Sequence, residues 1–169
     1  MTAQNEDTRT SSETPEGLEL LQLLSQELGT LQVLDSTLSE EYAALVDSAV
    51  TRLEEVTGSK VSAVESHRNQ QQQRLQWMNE KGLSADLSLG DLVSQVNDSQ
   101  ALRQLQAELS ALAAQCQENN RRNGGLIVRL QERAQGALDV LRGESSKSDV
   151  YSLSGAKEHG SESRSLGKA

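Results

Sequence analysis

The chain has 169 residues, a formal net charge of −9, no phenylalanine, one tryptophan, two tyrosines and one proline. Such acidity repels phosphate backbones and anionic lipid surfaces, which sets nucleic-acid and membrane binding aside. A core without aromatics is filled by Leu, Val and Ala, which suits narrow helix–helix seams. The lone proline, Pro15, leaves the body free of helix breakers, so an all-α fold is expected.

Residues 1–13 are Ser-, Thr- and acid-rich and read as a disordered arm. Thr14-Pro15-Glu16 then gives a helix start: a threonine cap, proline at the first position and an acid in the first turn. The first helix carries Leu21, Leu24, Leu28, Leu31, Leu38, Tyr42 and Leu45 at coiled-coil spacing, with Asp35 as the one polar member. Asp47-Ser48 offers a fresh N-cap, so a hairpin turn is expected at 45–48. The alternative is one continuous helix from 15 to 80, roughly 100 Å long at 1.5 Å per residue.

The second helix is expected from about Ser48 to Glu80, with a thin stripe of Val50, Leu53, Thr57, Val61, Val64, Leu75 and Met78. The intervening HRNQQQQR, residues 67–74, is polar all round. Lys81-Gly82 is a stop signal, and residues 83–97 read as a loop holding a short helix around Asp91–Val96. Asp98 or Ser99 caps the third long helix, which runs to Arg142 and stops at Gly143. Its seam is Leu102, Leu105, Leu109, Leu112, Cys116, Asn120, Asn123, Ile127, Leu130, Ala134, Ala137 and Leu141. Two successive four-residue steps at Leu112–Cys116–Asn120 predict a local unwinding of the supercoil. The expected organisation is thus an elongated antiparallel bundle of three long helices over residues 14–143, followed by a flexible polar tail, 144–169.

The residues offer no chemistry. His67 and His159 are far apart, without acids or cysteines at ligand spacing, so no metal site is expected. Cys116 sits on a helix seam with no general base, and Gly124-Gly125 lacks the strand and lysine of a phosphate loop. Glu40-Glu41 and Glu54-Glu55 read as solvated helix faces. No catalytic residue and no cofactor is predicted. One cysteine excludes an internal disulfide. No apolar run approaches the ~20 residues that span a bilayer, and the N-terminus lacks a signal-peptide core. A cytoplasmic location is expected.

Asn120, Asn123 and Gly124 have two readings. Buried asparagines fix register while a glycine admits a neighbouring helix; alternatively they mark a break where a client helix inserts. Leu130, Leu138 and Leu141 form an apolar stripe suited to a helix-in-groove contact. Val150-Tyr151-Ser152-Leu153 is an apolar cluster in the tail, with Tyr151 a natural anchor for a partner pocket.

Taken in order, these residues carry a resemblance. Asp47 is followed by LEEVTGSKVSAV at 53–64, with Lys60 between apolar helical positions. Asn120-x-x-Asn123-Gly124 precedes Leu126-Ile127 and Ala137-Leu138-x-x-Leu141-Arg142-Gly143, and the tail holds Tyr151, Gly155 and an SRSLGKA ending. Over most of residues 15–169 the chain resembles the FlgN family of flagellar export chaperones, although HRNQQQQR departs from the family's Leu-rich pattern. The resemblance implies a chaperone for the hook–filament junction proteins FlgK and FlgL, delivering them to the export gate protein FlhA. It also implies that client and gate contacts concentrate at the end of the third helix and in the tail, with Tyr151 tied to gate docking. A monomer is expected. The competing reading is a structural coiled-coil adaptor or dimerisation module outside secretion.

Overall fold

A computed structural model of the protein describes residues 14–142. Among them the chain forms four helices: α1 (Pro15–Val46), α2 (Val50–Glu80), α3 (Leu89–Val96) and α4 (Gln100–Leu141). The all-helical expectation holds there. The count of three is corrected to four: the short helix expected within a loop around Asp91–Val96 is an element of its own, opening at Leu89, where Ser88 Oγ accepts the Asp91 N–H at 3.2 Å. The two expected arms and the stop at Gly143 lie outside the described residues.

Local chemistry sets the helix ends. Thr14 Oγ1 accepts the Gly17 N–H at 3.1 Å, and Pro15 occupies the first turn, where its missing N–H costs nothing. The hairpin, not the continuous helix, follows α1. Asp47 closes α1 as its C-cap instead of opening α2, and Ser48 takes φ +53°, a left-handed conformation that reverses the chain. The first turn of α2 has no side-chain cap. Gly82, at φ +71°, ends α2 after Lys81 as expected.

Contacts divide the described residues into two compact units, 14–129 and 130–142. In the first, α1 and α2 run antiparallel: Glu41 pairs with Lys60, Glu27 with Arg74, and Glu19 with Lys81. Partners of α4 on α1 advance together instead. Asn119 reaches Asp35 and Asn123 reaches Glu41, so α4 runs parallel to α1. The core gathers Leu20, Leu24, Leu31 and Leu38 of α1, Trp77 and Met78 of α2, Leu92 and Val93 of α3, and Leu102, Leu109 and Cys116 of α4. Each leucine fully buried in this way contributes about 1.5–3 kcal/mol. In the second unit, the described residues 130–142 carry the last turns of α4.

Two seams differ from the sequence reading. α4 buries Leu102, Leu109, Cys116 and Asn123, one residue in every heptad. Between the last two the half-buried asparagine is Asn119, whereas Asn120 is exposed. The phase shift is therefore absent: Asp35 recruits Asn119 Nδ2 at 2.9 Å and Gln115 Nε2 at 2.9 Å, and an ordinary 4-3-4 pattern results. α2 is rotated further still. It turns Val56, Lys60, Ala63, His67, Gln70 and Arg74 towards α1, while Val50, Val61, Val64 and Leu75 are exposed. Within HRNQQQQR, His67, Gln70, Gln71 and Arg74 are half-buried and His67 and Arg74 reach α1, whereas Arg68, Asn69, Gln72 and Gln73 are exposed.

Candidate protein-binding site

Three helices meet at one carboxylate. Glu41 of α1 is only 3% exposed, contrary to its reading as part of a solvated face. Its two oxygens accept from Lys60 Nζ of α2 at 3.1 and 3.0 Å, and Oε2 also accepts from Asn123 Nδ2 of α4 at 2.9 Å. The same amide nitrogen donates to the Leu38 carbonyl at 2.8 Å. Both neighbours are acceptors, which fixes the amide orientation and leaves the buried Asn123 Oδ1 without a hydrogen-bond partner. A buried polar group used this way specifies register more than it adds stability.

The ladder continues along the hairpin. Glu27, 2% exposed, accepts from Arg74 Nε at 2.9 Å, and Thr30 Oγ1 lies 3.1 Å from His67 Nδ1. At the far end Glu19 Oε2 accepts from Trp77 Nε1 at 2.7 Å and from Lys81 Nζ at 2.9 Å. The Trp77 N–H, followed by Lys81, holds the Glu19 carboxyl below the ordinary carboxylate value. Cys116 packs against the Leu31 carbonyl and Asp35; burial, then the Asp35 charge, pushes its thiol up to about 11. It is an inert seam residue.

Of the sequence-selected residues, the structure joins Asn123 to Lys60 through Glu41. Asn120 takes no part. Gly124 is exposed, and a Cβ added there would meet nothing within 4 Å, so it admits no neighbouring helix. Tyr42 is not a core residue: it is 38% exposed and stacks under Arg122, whose guanidinium lies 4.0 Å from the ring centroid. Sequence reasoning missed Glu41, Glu27, Arg74 and Asn119. A signal was present, because Lys60, His67 and Arg74 recur every seven residues and Glu27 and Glu41 keep the matching separation on α1.

Of the partner-binding candidates, Leu130, Leu138 and Leu141 are described and fall in the second unit. Leu130 is half-buried, Leu138 is 45% exposed and Leu141 82% exposed, with Val140 beside them at 64%. Leu138 and Leu141 stand three residues apart on one helical face. Val150, Tyr151 and Leu153 lie outside the described residues. Among the described residues no helix is long and apolar enough to cross a membrane, and no group of His, Cys, Asp and Glu is placed to hold a metal ion.

The family described as FlgN protein matches residues 18–159. No curated protein and no solved structure matches the chain. The matched stretch takes in α1 from Leu18 onward, all of α2 and α3, and α4 with its exposed Leu138 and Leu141. The chain belongs to the FlgN family, a family of flagellar export chaperones.

Proposed function

We propose that the protein is a cytoplasmic export chaperone of bacterial flagellum assembly, acting on a type III route, that binds the hook–filament junction proteins FlgK and FlgL. It covers their amphipathic helical ends, prevents premature association and delivers them to the cytoplasmic domain of the gate protein FlhA. Residues 14–143 act as the helical handle, residues 1–13 as a polar arm and residues 144–169 as the gripping tail. Leu130, Leu138 and Leu141 supply the helical part of the grip, and Val150, Tyr151 and Leu153 the part in the tail. Asn120, Asn123 and Gly124 form the structural motif of the resemblance, of which Asn123 is the member with inter-helix bonds. No cofactor, metal or catalytic step is required.

The observation that carries this reading is the exposed apolar run Leu138, Val140 and Leu141 within the family match. Large side chains in that state are a ready surface for a helix-in-groove partner. A grip that orders a tail on its client binds at modest affinity per area, which suits a carrier that must release. Calorimetric titration of the full chain with FlgK and FlgL tests it. Leu138→Asp with Leu141→Asp, or removal of residues 144–169, weakens client binding at least tenfold while helicity by circular dichroism stays intact. Unchanged client affinity in both variants overturns the assignment. Tyr151→Ala weakens docking to the gate domain more than client capture, and equal losses in both assays reject it as a dedicated anchor.

A further inference from the structure

α2 carries a second helical seam, separate from the stripe that faces α1. Val50, Thr57, Val61, Val64, Arg68 and Leu75 fall on it, and Glu54 and Gln71 complete its alternating four- and three-residue steps. Its four apolar members are open to solvent: Val50 is 69%, Val61 54%, Val64 46% and Leu75 40% exposed. Glu54, Thr57 and Arg68 are exposed as well. α2 thus carries two stripes: one turned to the hairpin, where Val56, Ala63, Trp77 and Met78 are buried among half-buried Lys60, His67 and Arg74, and a second heptad stripe left outward.

We propose that this seam is a self-association surface, on which α2 of a second copy lies antiparallel with a two-fold axis between Val61 and Val64. The chemistry of the seam is what selects that occupant. A two-fold interface must be self-complementary, each contact occurring twice. In this register Val61 faces Val64 of the second copy, Val50 faces Leu75, Thr57 faces Arg68 and Glu54 faces Gln71. Every apolar residue meets an apolar one and every polar residue a polar one. Arg68 also comes within one turn of the second copy's Glu54. A parallel pairing would set Arg68 on Arg68 and Glu54 on Glu54, like charges in contact. Sliding the antiparallel pair by one heptad would set Val50 on Arg68 and leave Leu75 without a partner.

Four apolar side chains per copy make a small patch, so the dimer is reversible and concentration-dependent. The monomer expected from the sequence is then its dilute form. With a charge of −9 on each chain, added salt screens the repulsion and shifts the balance towards the dimer.

The register is tested by cross-linking full-length chains in a Cys116→Ala background, checked for native helicity, with Val50→Cys or Leu75→Cys and a short bis-maleimide. Two copies of residue 50 lie roughly 37 Å apart in the proposed pair, at 1.5 Å per residue, beyond the reagent's reach, whereas residue 50 of one copy adjoins residue 75 of the other. An equimolar mixture of the two variants therefore cross-links at least fivefold more than either alone. Val61→Asp with Val64→Asp abolishes the product and yields a monomer in sedimentation equilibrium, with unchanged helicity. Cross-linking of Val50→Cys by itself, a mixture no better than its components, or a monomer at every concentration overturns the proposal.

Discussion

The Asn123 side-chain amide donates to the Glu41 carboxylate across 2.9 Å, and that carboxylate in turn holds Lys60 at 3.0 Å. Three separate helices thereby share one buried charge. Neither bond alone sets the register of the bundle, but together they do. A slip of either α2 or α4 by one turn strands Glu41, whose side chain is 4% exposed, without its cation or its amide.

Glu41→Ala lowers unfolding free energy by about 3 kcal/mol, the scale for breaking a buried ion pair. Asn123→Asp is worse at neutral pH, because a second carboxylate then faces Glu41 and the Leu38 carbonyl. Its folded pKa is raised above the unfolded one, so the folded variant binds the extra proton. The destabilisation relative to the parent protein is smallest in acid and grows as pH rises through the unfolded pKa. Urea unfolding at pH 4 and pH 7 measures the difference; a gap that does not widen with pH refutes the orientation of Asn123.

Glu27 and Arg74 form the second buried pair, with side chains 2% and 16% exposed. Glu27→Leu alone leaves the guanidinium facing an apolar wall and costs about 3 kcal/mol. Adding Arg74→Leu removes the stranded charge, and the double variant recovers most of that loss. A thermodynamic cycle by denaturant unfolding reads the coupling directly. Additive losses would show that the two side chains do not interact in solution.

Gly29 and Gly17 both sit in α1 and respond in opposite directions to alanine. Nothing lies within 4 Å of a Cβ built on Gly29, which opens onto a groove beside Val33 and Ala63, so Gly29→Ala stabilises by about 0.5–1 kcal/mol through helix propensity. A Cβ on Gly17 would stand 2.6 Å from Asn97 Nδ2, 3.0 Å from Asn97 Cβ and 3.1 Å from the capping Thr14 Oγ1. Gly17→Ala therefore loosens the start of α1 and its contact with the segment before α4. Paired thermal melts should move apart, and a common upward shift would mean that this junction gives way freely.

Trp77, the one tryptophan of the chain, reports on Glu19 through its 2.7 Å bond. The Glu19 carboxyl is depressed by the indole N–H and by Lys81. The sign is that of a lowered acid: the contribution is present above the ordinary carboxylate value and is lost as pH falls through the lower folded one. Tryptophan fluorescence should change with a midpoint below the usual carboxylate range, weaken in high salt and vanish in Glu19→Gln. A transition that persists in that variant would assign the signal to another acid.

Local sequence determined the helices themselves. The Thr14-Pro15 start, the Gly82 stop and the leucine spacing of α1 act within a few residues of chain, through backbone hydrogen bonds and steric limits on φ, so they were legible without a partner. The heptad rhythm of α4 was legible for the same reason as far as Cys116. Which face of α2 turns inward was decided only by the tertiary structure. Val50, Val61, Val64 and Leu75 are the obvious core by hydropathy, yet Lys60 and Arg74 face α1, because Glu41 and Glu27 stand buried opposite them and a buried carboxylate must find a cation. The choice of Asn119 over Asn120 followed in the same way from the position of Asp35, far away in sequence. Hydrophobic periodicity ranks the faces of an isolated helix; buried charge chooses among them only after two helices have met.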